Sequence, residues 1–299
     1  MEHVQGRCDP RFAGVRDAFA ASFAAGREVG ASFAATVDGR FVVDLWGGHA
    51  DAARGRPWHE DTIVNVFSTT KAMTALAAHV LVERGQLDVD APVARYWPEF
   101  ASNRKDAITV RHLLCHQAGL AALRERFPTE ILYDWPRMTS ALAAEEPWWE
   151  PGTTSGYHAV TFGYLVGELV RRITGRTLGR FFRDEIADPL GADFHIGLDA
   201  RDDGRVADMI GPSAAERAAA GQVAVVDPES LLGKVLGNPP VTPEIANRPA
   251  WRRAEIPAAN GHGNARSVAR VMTALACGDR LDGVPLVGEA TLARTTQEQ

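Results

Sequence analysis

Lysine is nearly absent from this chain of 299 residues: Lys71, Lys105 and Lys234 stand alone among 32 basic residues, the rest being arginine. Where lysine is so scarce, one set in an apolar stretch needs a reason. Cysteine is scarce too. Cys8, Cys115 and Cys277 are odd in number and widely spaced, with no C-x-x-C pair, which excludes a disulfide scaffold and favours reduced thiols. No uncharged apolar run reaches the roughly 18 residues of a membrane span. The first residues, Met1 to Cys8, lack the apolar core of a signal peptide. A soluble, cytoplasmic protein with no membrane partner is expected, and the Ala-, Gly- and Arg-rich composition resembles that of a high-GC bacterial gene. Positive charge is not in excess either: a net charge of -6 and a pI near 5.9 give no reason to expect nucleic acid as a partner. No G-x-S-x-G elbow and no phosphate-binding glycine loop accompanies a strand–helix unit, which disfavours an α/β-hydrolase or a nucleotide-binding protein.

What is present is ample apolar material, 45% of residues, enough for a sizeable core. Phe12, Val15, Phe19 and Phe23 recur at helical spacing and predict an amphipathic helix over residues 10–25. Two apolar runs, Ala31 to Val37 and Phe41 to Trp46, flank Asp38-Gly39 and predict a β-hairpin, hence an antiparallel sheet. The chain then runs apolar from Ile63 into Ser68, and a helix over about 69–84 is stopped by Gly85. Its apolar residues cover almost the whole circumference, so it reads as the innermost helix. Further helices are expected from about Thr109 to Gly119, over 159–174, 178–186 and 264–277, with a turn within 281–287. Residues 121–150 read as irregular, and 200–258 carry no clear period.

Ser68 and Lys71 begin that central helix. At i and i+3 they share a face, so the amine can reach the hydroxyl, a weak nucleophile that needs an adjacent base. A lysine sunk among Ala, Met and Leu is disfavoured as a cation, which makes neutral amine more available; the other reading is a lysine that snorkels out of the core. The pattern alone is weak, because Ser102-Asn103-Arg104-Lys105 repeats it. That second copy lies in a polar stretch beside Arg104 and Asp106, where the lysine is expected to stay solvated and charged. Tyr157 ends a loop, Glu150 to Gly156, just before a helix, from which its hydroxyl can enter a cleft.

Ser68-Thr69-Thr70-Lys71, Leu113-Leu114-Cys115-His116-Gln117-Ala118-Gly119-Leu120, and Pro151-Gly152 with Tyr157 six residues after Pro151 resemble the serine β-lactamase-related superfamily. Within it the chain is most similar to the class C β-lactamase-like esterases, the family VIII carboxylesterases. The match continues through Gly163 to Glu168 and Asp188 to Ala192, covering residues 10–290. The resemblance implies an α/β (α+β) fold: an antiparallel sheet flanked by helices, plus a helical domain. It implies one catalytic unit over 1–299, with an N-terminal helix and hairpin in 1–65, a mainly helical part carrying the active site in 66–258, and a return to the α/β part in 259–299. It makes Ser68 the nucleophile and Lys71 with Tyr157 the pair that moves its proton. The implied activity is hydrolysis of small, short-acyl carboxylic esters through an acyl-enzyme, with no metal and no organic cofactor. β-Lactam or D-amino-acid peptide hydrolysis, acyl transfer, and a weakly active or inactive binding module are the alternatives. The oligomeric state is left open.

Two departures stand out. The tyrosine motif of β-lactamases reads Tyr-x-Asn, whereas here it is Tyr157-His158-Ala159; a site without that amide discriminates against substrates built to use it. Relatives also continue with C-terminal strands, one carrying a third motif and an oxyanion-hole N–H. The chain ends at Gln299 before any such strand, so these strands are expected to be missing, and a lost oxyanion donor costs about 2.7–4 kcal/mol. His262-Gly263-Asn264 imitates the third motif but leads straight into a helix. His158 either tunes Tyr157 or is a satisfied structural histidine. His112, Cys115 and His116 lack both an H-E-x-x-H pattern and a third ligand, so metal is not expected. The tryptophans at 135, 148, 149 and 251 read as packing or cleft-wall residues.

Overall fold

The computed structural model describes residues 4–213, 226–277 and 283–298. A 3-10 turn at Pro10–Phe12 leads into helix α1, Ala13–Ala24. The expected hairpin follows as strands β2, Gly30–Val37, and β3, Arg40–Gly48. Asp38 and Gly39 turn it with φ of 50° and 77°, the two successive left-handed residues that a tight hairpin of this twist demands. One strand was not expected: β1, Gln5–Cys8, pairs antiparallel with β3 and makes the order β1-β3-β2. Four residues with only alternate positions half-buried are too short to show a period.

The central helix α2 spans Thr69–Glu83, with Gly85 in the left-handed region just beyond it. Strand β4, Val64–Asn65, precedes it. Helix α3 is only Val110–Leu114, capped by the Thr109 hydroxyl. It ends well short of Gly119, because His116 takes a φ of 59° and Gln117 N–H closes on the His112 carbonyl. The stretch 121–150 is also more ordered than its Trp and Pro content suggests. Helix α4, Trp135–Ala144, starts at Asp134, whose carboxylate accepts from Arg137 N–H, with Pro136 in its first turn; that is an ordinary helix start. Helix α5, Thr161–Thr174, ends at Gly175 in the left-handed region. The segment expected over 178–186 is helix α6, Leu178–Phe182, continued by a π turn and one more helical turn to Leu190.

Strand β5, Phe194–Ile196, and strand β6, Gly261–Gly263, join β4 in a second antiparallel sheet of order β4-β6-β5. Two three-stranded sheets therefore stand where one was expected among the described residues. Helix α7, Ala265–Ala276, is capped by Asn264 and carries Val271, Thr273 and Ala274 buried. Helix α8, Glu289–Thr295, was not foreseen. The expected turn in 281–287 falls partly outside the described residues.

The main core joins α2 to α5, α4, α6 and the loops between them. The innermost helix is α5 rather than α2: ten successive residues, Thr161 to Val170, are buried, whereas α2 leaves Ala72 exposed. Gly163 shows how close the packing is. A Cβ there would sit 2.5 Å from the amide nitrogen of Ala258, so only glycine lets the 256–260 loop lie against α5. Among the described residues no helix is long and apolar enough to cross a membrane.

Candidate active site

Ser68 occupies the N-cap position of α2 but does not spend its hydroxyl on capping. A serine there ordinarily accepts an N–H from the first turn. Here the turn caps itself, with Thr69, Thr70 and Lys71 N–H bonded to the carbonyls of Val66, Phe67 and Ser68. That geometry requires Phe67 at φ 41°, a left-handed conformation costing on the order of 1–3 kcal/mol in a non-glycine residue. The strain is held from behind. Val66 N–H bonds to Gly261 O at 2.8 Å. The buried Thr70 hydroxyl donates to Phe67 O at 2.5 Å and accepts Gly261 N–H at 2.8 Å. Strand β6 thus props the turn beneath the exposed Ser68, whose backbone N–H has no acceptor among the described residues.

Two groups converge on that hydroxyl oxygen. Lys71 Nζ lies 3.1 Å from it and the Tyr157 phenol donates to it at 2.6 Å. Lys71 Nζ sits 4.7 Å from the centre of the Tyr157 ring. Lys71 is buried, only 8% exposed, while Tyr157 is half-exposed. The lysine does not snorkel: its amine donates to Ala159 O at 2.7 Å and Ala258 O at 2.9 Å. Burial pulls its pKa below the ordinary lysine value, partly countered by Tyr157. For Tyr157 burial acts upward, but the neighbouring amine and hydroxyl outweigh it and the phenol's pKa falls. Both shifts make the deprotonated forms more available near neutral pH.

The tyrosine loop is fixed by two histidines. His158 is fully buried; its Nδ1 pairs with Gly156 O at 2.6 Å and its Nε2 accepts Leu120 N–H at 3.1 Å. That satisfied pattern is the structural reading of His158. His116 accepts His158 N–H on Nδ1 at 3.1 Å and packs its ring 5.2 Å from that of Tyr157. Burial pushes both imidazoles down to about 4, so both are neutral near pH 7. His112 is engaged elsewhere, accepting Thr109 N–H, and the described residues gather no metal-holding cluster of His, Cys, Asp or Glu. Trp149 donates to Thr154 O and stands edge-on to His158, while Trp135, Trp148 and Trp251 bond to Glu168, Ala122 and Asn65.

His262 does not reach the site. It is fully buried on β6, with Nδ1 bonded to Asn260 O, behind the serine turn. The second S-x-x-K pair departs most from expectation. Lys105 is wholly buried rather than solvated, donating to Ala143 O at 2.9 Å and Glu145 O at 2.5 Å. Thr70, Thr74 and the Ala258 carbonyl were missed in the sequence. The signal for the threonines was two hydroxyls on the core face of an otherwise apolar helix.

A model of the Beta-lactamase family matches residues 15–299. The esterase/beta-lactamase LipL of Mycobacterium tuberculosis is 40% identical over 304 residues, spanning 99% of this chain and 70% of its own. The crystal structure of a family VIII carboxylesterase superposes with a TM-score of 0.91 at 47% identity, covering 99% of this chain and 78% of that one. A penicillin-binding protein homologue from Caulobacter crescentus gives the same TM-score at 43% identity and the same coverage of both chains. The architecture is therefore that of the β-lactamase and penicillin-binding protein fold.

Proposed function

Because the chain belongs to the Beta-lactamase family, whose relatives here are esterases and β-lactamases, we propose that it hydrolyses small, short-acyl carboxylic esters through an acyl-enzyme on Ser68. One observation carries this reading: Lys71 and Tyr157 both lie within hydrogen-bond distance of the Ser68 hydroxyl oxygen. A neutral amine has two N–H bonds and one lone pair. With both N–H bonds held by Ala159 O and Ala258 O, the lone pair is left facing Ser68.

Ser68 Oγ attacks the ester carbonyl carbon as its proton passes to Lys71. The oxyanion of the tetrahedral intermediate meets the Ser68 N–H, for which the structure provides no intramolecular acceptor among the described residues. Collapse breaks the carbon–oxygen bond to the alcohol, which leaves with the Tyr157 proton. Lys71 then returns a proton to the phenolate. Water repeats the cycle on the acyl-enzyme and releases the acid. Ala159 offers this site a backbone carbonyl and a methyl group but no side-chain amide, which favours simple esters over β-lactams and D-amino-acid peptides. We read residues 1–299 as one catalytic unit acting on small-molecule substrates.

Labelling by a fluorophosphonate, followed by intact mass, tests the assignment. The expected adduct is present in the parent chain and in Ser102→Ala and absent from Ser68→Ala; an adduct that survives Ser68→Ala removes it. Faster turnover of nitrocefin than of p-nitrophenyl butyrate would transfer the reading to β-lactams.

A further inference from the structure

One of the two acceptors of Lys71, Ala258 O, belongs to a loop, and that loop is also tied to Lys71's own helix through Thr74. Ala258 lies in the segment Ile256 to Asn260, between the short helix Pro249–Arg253 and β6. Inside the loop, Asn260 accepts Ile256 N–H and donates to Trp251 O. On one side the loop presses on α5 at Gly163. On the other, the fully buried Thr74 hydroxyl donates to Pro257 O at 2.6 Å. Pro257 O and Ala258 O belong to successive peptide units, and Thr74 and Lys71 are one helical turn apart. The hydroxyl holds the first carbonyl, and the amine meets the second at 2.9 Å.

We propose that Thr74 is a positioning residue for Lys71: its hydroxyl, through Pro257 O, fixes the Ala258 carbonyl that orients the lysine amine toward Ser68. The inference rests on Lys71 acting as proposed above only for its kinetic consequence; its structural consequence stands on its own. Valine keeps the shape of threonine but leaves Pro257 O buried and unpaired, so the loop must shift to satisfy it. Lys71 then loses an acceptor. A carbonyl bonded to the ammonium form favours that form, so its loss lowers the pH at which the amine deprotonates. The titratable groups facing Lys71 from the packed elements are Tyr157, His116 and His158. The last two are already neutral near pH 7, and none of the three is touched by the substitution.

The scarcity of lysine supplies the readout. Lysine labelled with 13C at Cε gives three resonances, assigned by replacing each lysine in turn, and their titration follows Lys71 with Lys105 and Lys234 as internal controls. In Thr74→Val the Lys71 midpoint is expected to fall by about one pH unit, while the other two hold and so report an intact fold. Thr74→Ser, which restores the hydroxyl, is expected to return it. Should Thr74→Val not fold, Thr74→Ala is titrated instead. An unmoved or raised Lys71 midpoint, a shift shared by all three lysines, or no recovery in Thr74→Ser overturns the proposal. On p-nitrophenyl butyrate, kcat is expected to fall about tenfold with KM less affected, as for lost orientation. If the parent chain shows neither turnover nor a fluorophosphonate adduct while the Lys71 midpoint still moves, the esterase reading fails and the positioning role stands.

Discussion

The chain writes the same four-residue pattern twice, and folding makes two different things of it. Both lysines are buried, and both donate to two backbone carbonyls: Lys71 to Ala159 and Ala258, Lys105 to Ala143 and Glu145. Burial of the amine therefore does not distinguish the pair proposed as reactive from the structural one. The serines do. Ser68 Oγ receives the Tyr157 proton and the Lys71 contact. Ser102 Oγ instead gives its proton away, to Ala143 O at 2.6 Å and Glu99 O at 3.3 Å. Ser68 opens a helix, and its N–H has no acceptor among the described residues. Ser102 precedes Asn103 and Arg104 at φ 54° and 60°, and no helix begins there. The second pair is a clasp that ties the Ser102–Lys105 loop to the C-terminus of α4; the first presents an exposed hydroxyl.

Exchanging each amine for an isosteric apolar chain breaks the comparison most sharply. Lys71→Met is expected to lower kcat on p-nitrophenyl butyrate by about 10²–10⁴, the contribution of a positioned acid–base group. Lys105→Met is expected to leave the rate per folded molecule within about twofold, there being no contact between it and the reacting atoms. Stability does not follow the same order, because each amine also serves buried carbonyls. Lys105→Met leaves the Glu145 carbonyl without its donor while Ala143 O keeps the Ser102 hydroxyl, at a cost of about 1–3 kcal/mol by urea unfolding. An activity loss in Lys105→Met equal to that in Lys71→Met would erase the distinction drawn from the serines.

How much of this was legible before folding follows from where each signal resides. The hairpin, α2, α5 and the pairing of Ser68 with Lys71 lie in short spacings, and periodicity carries them. Tyr157 is 86 residues beyond Lys71 in the numbering, and it entered through ordered motifs rather than through local pattern. The environment of Lys105 was misjudged, because polar neighbours in sequence say nothing about Phe100, whose ring centre lies 5.4 Å from Nζ, or about the end of α4, some forty residues on. Helix α4 itself hid behind tryptophan and proline, although Asp134 and Pro136 are a capping residue and a first-turn proline. The Ala258 carbonyl was beyond reach, since a backbone acceptor carries no side-chain signature at all.

A difference in pH dependence sharpens the comparison further. Burial lowers Lys105 from 10.5 to about 8, with Glu145 and Glu146 opposing it. Between about 8 and 10.5 the unfolded chain therefore binds more protons at this position than the folded one. Stability must rise with pH wherever the unfolded state holds the extra proton, so the Lys105 contribution improves through that window and is flat on either side. The quantity to measure is the unfolding free energy of the parent chain minus that of Lys105→Met. It is expected to grow from pH 8 to 10.5; a flat difference would mean that Lys105 titrates as it does in the unfolded chain, and a falling one that folding raises its pKa.

The smallest effect belongs to the serine of the clasp. Ser102→Ala removes two hydrogen bonds to carbonyls, of which Ala143 O keeps the Lys105 amine as a donor. Since that acceptor is not orphaned, the loss is expected at about 0.5–1.5 kcal/mol, the net worth of an ordinary hydrogen bond, with turnover unchanged. The paired substitution decides whether the clasp is one unit. Ser102 and Lys105 share Ala143 O, so in Ser102→Ala/Lys105→Met that carbonyl loses both donors, and the double variant should lose more than the sum of the singles. Strict additivity by urea unfolding would mean that the two side chains act independently. The second copy of the pattern would then be a coincidence of spacing, with nothing shared between its serine and its lysine.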